Sequence, residues 1–354
     1  MGSKSTEAAP ARRIRWGIIG TGGIAQTFAR GVAASQTGVV VGVGSRGLAS
    51  ARAFAERNGI GRAHGSYEEL LADPEIESVY IATPHPSHCE WTIKAARAGK
   101  HILCEKPIGM NTREAEVMFA ATREAGVLLM EAFMYRCHPQ TRKTVELVRS
   151  GVLGTIGSVQ ATFSFNSPAD LSSRLWSREL GGGGILDVGG YPVSFARLIA
   201  GAAVGQPFLD PIDVRAVGAL HPTTTIDVYT AAVLRFQSGM IAQVATGVGL
   251  YQDSSVRIFG SRAWLHVIEP WLPGVGGRVA RLVLYREGEA AEEIPMEAAH
   301  SLYALEADAF ARALWAGSRS VPEMSPEDTL GNMQTLDRWR SEIGVTYPAD
   351  QGRP

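Results

Sequence analysis

The chain has 354 residues, of which 45% are hydrophobic and 19% charged, and its formal net charge is -1. That balance gives no electrostatic basis for binding nucleic acid or an anionic membrane surface, and no apolar run reaches membrane-spanning length. The length predicts two domains rather than one core, and three cysteines (Cys89, Cys104, Cys137) without C-x-x-C spacing predict reduced thiols in a cytoplasmic protein.

Residues 1–12 are small, polar and basic, the composition of a disordered tail without the apolar stretch of a secretory signal; Gly2 and Thr6 fit the loose myristoylation pattern. Residues 15–20 read as a short buried strand and residues 26–34 as a helix, with Ile24, Phe28 and Val32 at helical spacing. Between them, Gly20, Gly22 and Ala25 fall in the places of a G-x-G-x-x-A dinucleotide-binding loop. The first glycine permits the tight turn, the second lets a pyrophosphate approach the backbone, and the small third residue lets helix and strand pack closely. Gly23 and Ile24 open the helix whose N-terminus faces the phosphates. The next strand, 39–43, ends in Gly44-Ser45-Arg46. NAD-preferring loops place a carboxylate here for the ribose 2′-hydroxyl, whereas Ser45 and Arg46 offer a hydroxyl and a guanidinium suited to a 2′-phosphate. NADP is therefore expected ahead of NAD.

The alternation continues. Ser66-Tyr67-Glu68-Glu69 is a capping box, and residues 78–83 form a strand running into Pro84-His85-Pro86-Ser87-His88. Thr83, Pro84, His85 and His88 thus stand at a strand's C-terminal edge, on the cofactor side. A helix to Ala98 stops at Gly99, then residues 101–105 form a strand that Pro107 ends, leaving Glu105 and Lys106 at its edge. Asn111 caps a helix ending at Gly126, and residues 127–131 are a further strand. This order predicts a Rossmann domain, a doubly wound parallel sheet, over residues 13–134, with ligands along the C-terminal strand edges.

From residue 135 the pattern changes. Period-2 runs at 156–165, 212–220, 229–236, 240–248, 255–260, 263–267 and 279–285 predict an open, mostly antiparallel sheet in a second, α+β domain over residues 135–345. An uncovered sheet face predicts a homodimer or homotetramer. Four glycines, Gly181 to Gly184, lead into an apolar run carrying Asp187 and Tyr191; these share a face if one helix runs through them, and Pro192 demands either a kink or a later start. Arg136, Trp176 and Phe165 are candidate substrate contacts, with Arg178, Phe163, Tyr251 and Trp271 as further pocket candidates. Residues 302–315 and 326–340 read as packing helices. No zinc-site spacing, P-loop or nucleophile elbow occurs, and no metal is expected.

Glu105-Lys106-Pro107, the run from Glu131 through Pro139, the glycine-rich run ending in Asp187-x-x-x-Tyr191 and the Gly20–Ala25 loop together resemble the glucose–fructose oxidoreductase / inositol dehydrogenase family, over residues 14–340. The resemblance implies that Lys106, Asp187 and Tyr191 line a substrate pocket beside the nicotinamide. Tyr191 stands where many members carry histidine, and is similar to the branch of dihydrodiol dehydrogenase, aldose 1-dehydrogenase and glucose–fructose oxidoreductase. The implied chemistry is reversible hydride transfer at a secondary alcohol or hemiacetal carbon of a pyranose, a sugar derivative or a cyclic polyol. Tyr191 is expected as acid/base with its pKa lowered by Lys106, and Asp187 as the residue orienting sugar hydroxyls; Lys106 itself is the alternative proton carrier. Three other readings stay open: an NAD(P)-dependent glycosidase acting by oxidation and elimination, a sugar–sugar oxidoreductase with tightly held cofactor, and a non-catalytic nucleotide- or sugar-sensing regulator.

Overall fold

The computed structural model describes residues 12–351; residues 1–11 of the expected tail, with the Gly2 and Thr6 pattern, lie outside the described residues. The first half alternates β1 (Ile14–Ile19), α1 (Gly23–Val32), β2 (Gly38–Gly44), α2 (Leu48–Asn58), β3 (Arg62–His64), α3 (Tyr67–Ala72), β4 (Ser78–Ile81), α4 (His88–Arg97), β5 (His101–Glu105), α5 (Thr112–Ala125) and β6 (Leu129–Ala132). These strands form one sheet in the order β3-β2-β1-β4-β5-β6, every pair parallel. The order reverses between β1 and β4. Right-handed crossovers put α1 on one face and α4 and α5 on the other, which opens a crevice at that switch point.

The local signals act as read. Ser66 and Asn111 accept the backbone N–H groups of Glu69 and Glu114 at the starts of α3 and α5, and Gly126 ends α5 in the left-handed region. Lys106-Pro107 is a cis peptide at the end of β5.

The second half comprises α6 (Pro139–Arg149), β7 (Ile156–Ser164), α7 (Gly190–Ala203), β8 (Asp213–Leu220), β9 (Asp227–Arg235), β10 (Ile241–Gly247), β11 (Ser255–Gly260), β12 (Ala263–Ile268), β13 (Arg281–Arg286), β14 (Glu292–Pro295), α8 (Leu302–Trp315) and α9 (Pro326–Glu342). Its sheet runs β14-β13-β12-β11-β7-β10-β9-β8, antiparallel except for the β7–β10 pair. Buried and exposed residues alternate along β9 and β10, because α7 covers one face while the other carries exposed Val217, Tyr229, Val233 and Ile241.

The chain's last helices return to the first sheet. Trp16 of β1 packs on Phe310 of α8 at 5.1 Å, and Ser35 Oγ donates to Asp308 at 2.6 Å. Asp337 of α9 accepts both the N–H and the hydroxyl of Thr112, at 2.8 and 2.6 Å. One continuous apolar core therefore runs through both sheets and these helices.

Candidate active site

A cleft of about 610 Å³ occupies the switch point. The glycine loop contributes Gly20, Gly22, Gly23 and Ile24, the end of β2 contributes Ser45 and Arg46, and β5 contributes Glu105 and Lys106. Thr83, Pro84, His85 and His88 line it from the loop after β4, so every residue expected on the cofactor side reaches one cavity. Gly20 holds φ +110°, and a side chain there would meet the Ala82 carbonyl at 2.9 Å. Space is open where side chains on Gly22 and Gly23 would stand. The first turn of α1 has no side-chain cap and no acid, which leaves its N–H groups free for an anion. Thr83 Oγ1 and His85 Nδ1 are buried there without a hydrogen-bond partner among the described residues. Arg46 lies exposed in the same cavity as Tyr67. A dinucleotide with a charged ribose end fits this donor set.

His88 lines the cleft, yet its Nδ1 and Nε2 each face a carbonyl, of Pro107 and Thr83, at 2.8 Å. Burial holds its pKa below the ordinary histidine value, and a neutral ring donates to only one of those carbonyls at a time. It ties the β4 loop to the turn after β5, and its nitrogens are not free for a ligand. Burial pushes His85 well below its usual value as well, so its ring is neutral.

Lys106 links the cleft to the second half of the chain. Its Nζ donates to the Asp187 carbonyl at 2.8 Å and stands 5.4 Å from the centre of the Tyr191 ring. Asp187 does not lie on the α-helix: residues Ile185–Gly189 form a π turn, and α7 begins at Gly190 with Pro192 in its first turn. Of the two expected alternatives the later start holds, with the π turn carrying Asp187 ahead of the α-helix. Pro192 brings no N–H to the preceding backbone, and the Asp187 carbonyl takes a donor from outside the turn, the Lys106 ammonium. The Asp187 carboxylate is buried and forms an ion pair with Arg174 at 2.8 Å. Burial opposes its charge, but Lys106 and Arg174 outweigh that and hold the carboxyl below the usual range.

Tyr191 departs from expectation. Its hydroxyl donates to Met134 Sδ at 3.4 Å, and Phe133 and Phe163 clamp its ring, each at 5.1 Å. Burial, reinforced by Glu105, Tyr303, Glu306 and Asp187, pushes the phenol well above its ordinary pKa. The lowering expected from Lys106 is overturned by this burial, and the ammonium stands over the ring.

The three substrate candidates stand elsewhere. Arg136 is buried in an ion network, 2.6 Å from Asp328, which also pairs with Arg197 at 2.5 Å. Trp176 lies in a small separate core with Met110, Leu186 and Tyr347. Phe165 is half-buried at the end of β7, packed against the main core. None of the three lines the cleft. Arg174, which does, carried no sequence pattern. Its signal is indirect: a buried Asp187 needs a second cation.

Two family models match the chain: the oxidoreductase family with NAD-binding Rossmann fold over residues 14–133, and the GFO/IDH/MocA C-terminal domain over residues 141–266. The chain is 34% identical to D-xylose 1-dehydrogenase (NADP(+)) 2 of Haloferax volcanii, across 91% of this chain and 95% of the relative. It is 31% identical to trans-1,2-dihydrobenzene-1,2-diol dehydrogenase of Mus musculus, across 96% and 99%. The structure is similar to that of a 3-ketoreductase from Actinomadura kijaniata in complex with TDP-benzene and NADP, with a TM-score of 0.82, 30% identity and coverage of 94% and 98%.

Proposed function

Because the chain belongs to the oxidoreductase family whose Rossmann and GFO/IDH/MocA C-terminal domains it carries, we propose that it transfers hydride between NADP and a secondary alcohol or hemiacetal carbon of a pyranose, sugar derivative or cyclic polyol. The observation that carries this reading is Lys106, an ammonium fixed at the C-terminal edge of β5, inside the dinucleotide cleft and against both Asp187 and Tyr191. The relatives' names, a sugar dehydrogenase, a diol dehydrogenase and a ketoreductase, support the same substrate chemistry. Ser45 and Arg46, with no carboxylate beside them at the end of β2, support the phosphorylated cofactor.

Bound in the cleft, the nicotinamide supplies the hydride acceptor or donor. Lys106 Nζ holds the proton at the substrate oxygen and stabilises negative charge as a carbonyl and an alkoxide interconvert. Asp187, ionised between Lys106 and Arg174, accepts hydrogen bonds from substrate hydroxyls and orients the ring. Tyr191 is the aromatic wall behind the ammonium; its bond to Met134 turns the hydroxyl from the cleft, so proton transfer is assigned to Lys106. The exposed apolar stripe of β8–β10 supports a homodimer or homotetramer, and light scattering that finds only monomer would remove that part. The free thiols of Cys89, Cys104 and Cys137 support a cytoplasmic setting.

The test is a panel of D-xylose and other pyranoses, inositols, anhydrosugars, dihydrodiols and an aryl glycoside, with NADP and NAD, followed by nicotinamide absorbance. Oxidation with NADP preferred is expected. Absence of turnover despite firm NADPH binding, or glycoside cleavage without net oxidation, would overturn the proposal.

A further inference from the structure

Asp227, the first residue of β9, is fully buried and reaches the start of the π turn. Its Oδ2 accepts the Ile185 N–H at 2.7 Å. Gly183, at φ +103°, packs so closely that a side chain there would collide with Asp227 Oδ1, and one at Gly184 would lie 3.2 Å from Oδ2. Oδ1 has no hydrogen-bond partner among the described residues. From the other side, the Tyr347 hydroxyl donates to the Gly182 carbonyl at 2.5 Å, and the Gly183 N–H reaches the Leu175 carbonyl at 3.0 Å. Four consecutive glycines bring no side chain to hold their own backbone. The turn that sets the Asp187 carbonyl on Lys106 is therefore held by groups outside it, and Asp227 is the carboxyl among them.

We propose that Asp227 is a positioning residue: its carboxylate anchors the Ile185 N–H that opens the π turn, and so fixes Asp187 and Tyr191 against Lys106. The role rests on the hydride-transfer reading above. Chemistry of this kind tolerates little displacement, about 1 Å costing up to about 100-fold in rate. Burial lifts the Asp227 carboxyl to about 7, against the opposing pull of the Ile185 and Gly184 N–H groups and Arg340. The ionisable groups that face it are Tyr347 and Arg340, with Asp350 and Arg178 grouped around Tyr347. The anchor is charged above neutral pH and loses its charge below.

Full-length protein labelled with 15N-isoleucine reports on this directly, because the Ile185 amide is the anchored group. In the wild type its resonance should titrate with a midpoint near 7, and in Asp227→Asn it should stay flat. With the best substrate of the panel and NADP, Asp227→Asn should lose about tenfold or more in kcat, together with the acid limb of its pH profile. NADPH binding, read by fluorescence, should stay within about twofold, since the anchor touches no cofactor-side residue. An Ile185 resonance in Asp227→Asn that coincides with the wild type's at every pH, or wild-type kcat at every pH in Asp227→Asn, would overturn the anchor. If no panel member turns over, the functional reading fails by itself, and the Ile185 titration still decides whether the carboxylate holds the turn.

Discussion

Replacing Lys106 by methionine keeps the unbranched apolar stem, one atom shorter, but removes the ammonium that stands over the Tyr191 ring. Two effects follow, of different size. The bond to the Asp187 carbonyl is lost, a charge-assisted contact contributing about 1.5–3 kcal/mol at most. Lys106 is only partly buried, and its loss also spares the fold the desolvation of a charge, so the melting temperature should move by a few degrees at most. Proton handling contributes about 10²- to 10⁴-fold to a reaction of this kind, or about 2.7–5.4 kcal/mol of barrier. Methionine should therefore lower kcat/KM by about that factor while NADPH affinity changes little. Arginine at the same position separates the two duties of the lysine, because it keeps the positive charge and cannot give up its proton. If charge alone matters, Lys106→Arg recovers most of the activity; if the proton moves through Nζ, it does not. Steady-state kinetics across pH, with thermal melts of each variant, make the comparison. Turnover within about threefold of wild type in Lys106→Met would refute the assignment.

Arg46→Ala should raise the KM for NADP by about 10- to 100-fold, the worth of one or two charge-assisted bonds to a phosphate, and leave NAD nearly unchanged; an equal effect on both cofactors would show that Arg46 does not read the 2′ position. Glu131 is buried, accepts the Ile108 N–H at 2.9 Å, and is pushed by burial from 4.5 up to about 8. Its folded pKa exceeds its unfolded one, so it favours the fold fully below its unfolded value and that contribution disappears as the pH rises towards about 8. Wild type should lose stability relative to Glu131→Gln between about pH 5 and pH 8, by on the order of a few kcal/mol, in denaturant titrations. The same gap at both ends would contradict this.

The nucleotide half was legible because each turn of its alternation carries its own mark: Gly20 and Ala25, the caps Ser66 and Asn111, the stops Gly99 and Gly126. The edge strands β3 and β14 escaped, being three and four residues long and without buried positions, so no alternation exists to read. The π turn was hidden for another reason. A spacing of four between Asp187 and Tyr191 is what an α-helix also shows, and only the tertiary partners Asp227 and Lys106 select the wider turn. Arg136 was placed wrongly because its neighbours in sequence belong to the site motif, whereas its partner Asp328 arrives from α9, 192 residues on. At Tyr191 the chain alone does not say that Met134 takes its hydroxyl, because that contact joins residues 57 apart.

The return of α8 and α9 to the first sheet orders events in time as well as space. Synthesis runs from the N-terminus, so β1 to β6 leave the ribosome long before Phe310, Asp308 and Asp337 exist. Until then Trp16 and the loop at Ser35 lack the surface they pack on, and the Thr112 end of α5 lacks its acceptor. The half of the enzyme made first is thus finished last, and a chain cut after β6 would not be an independent nucleotide-binding module but one with an open flank.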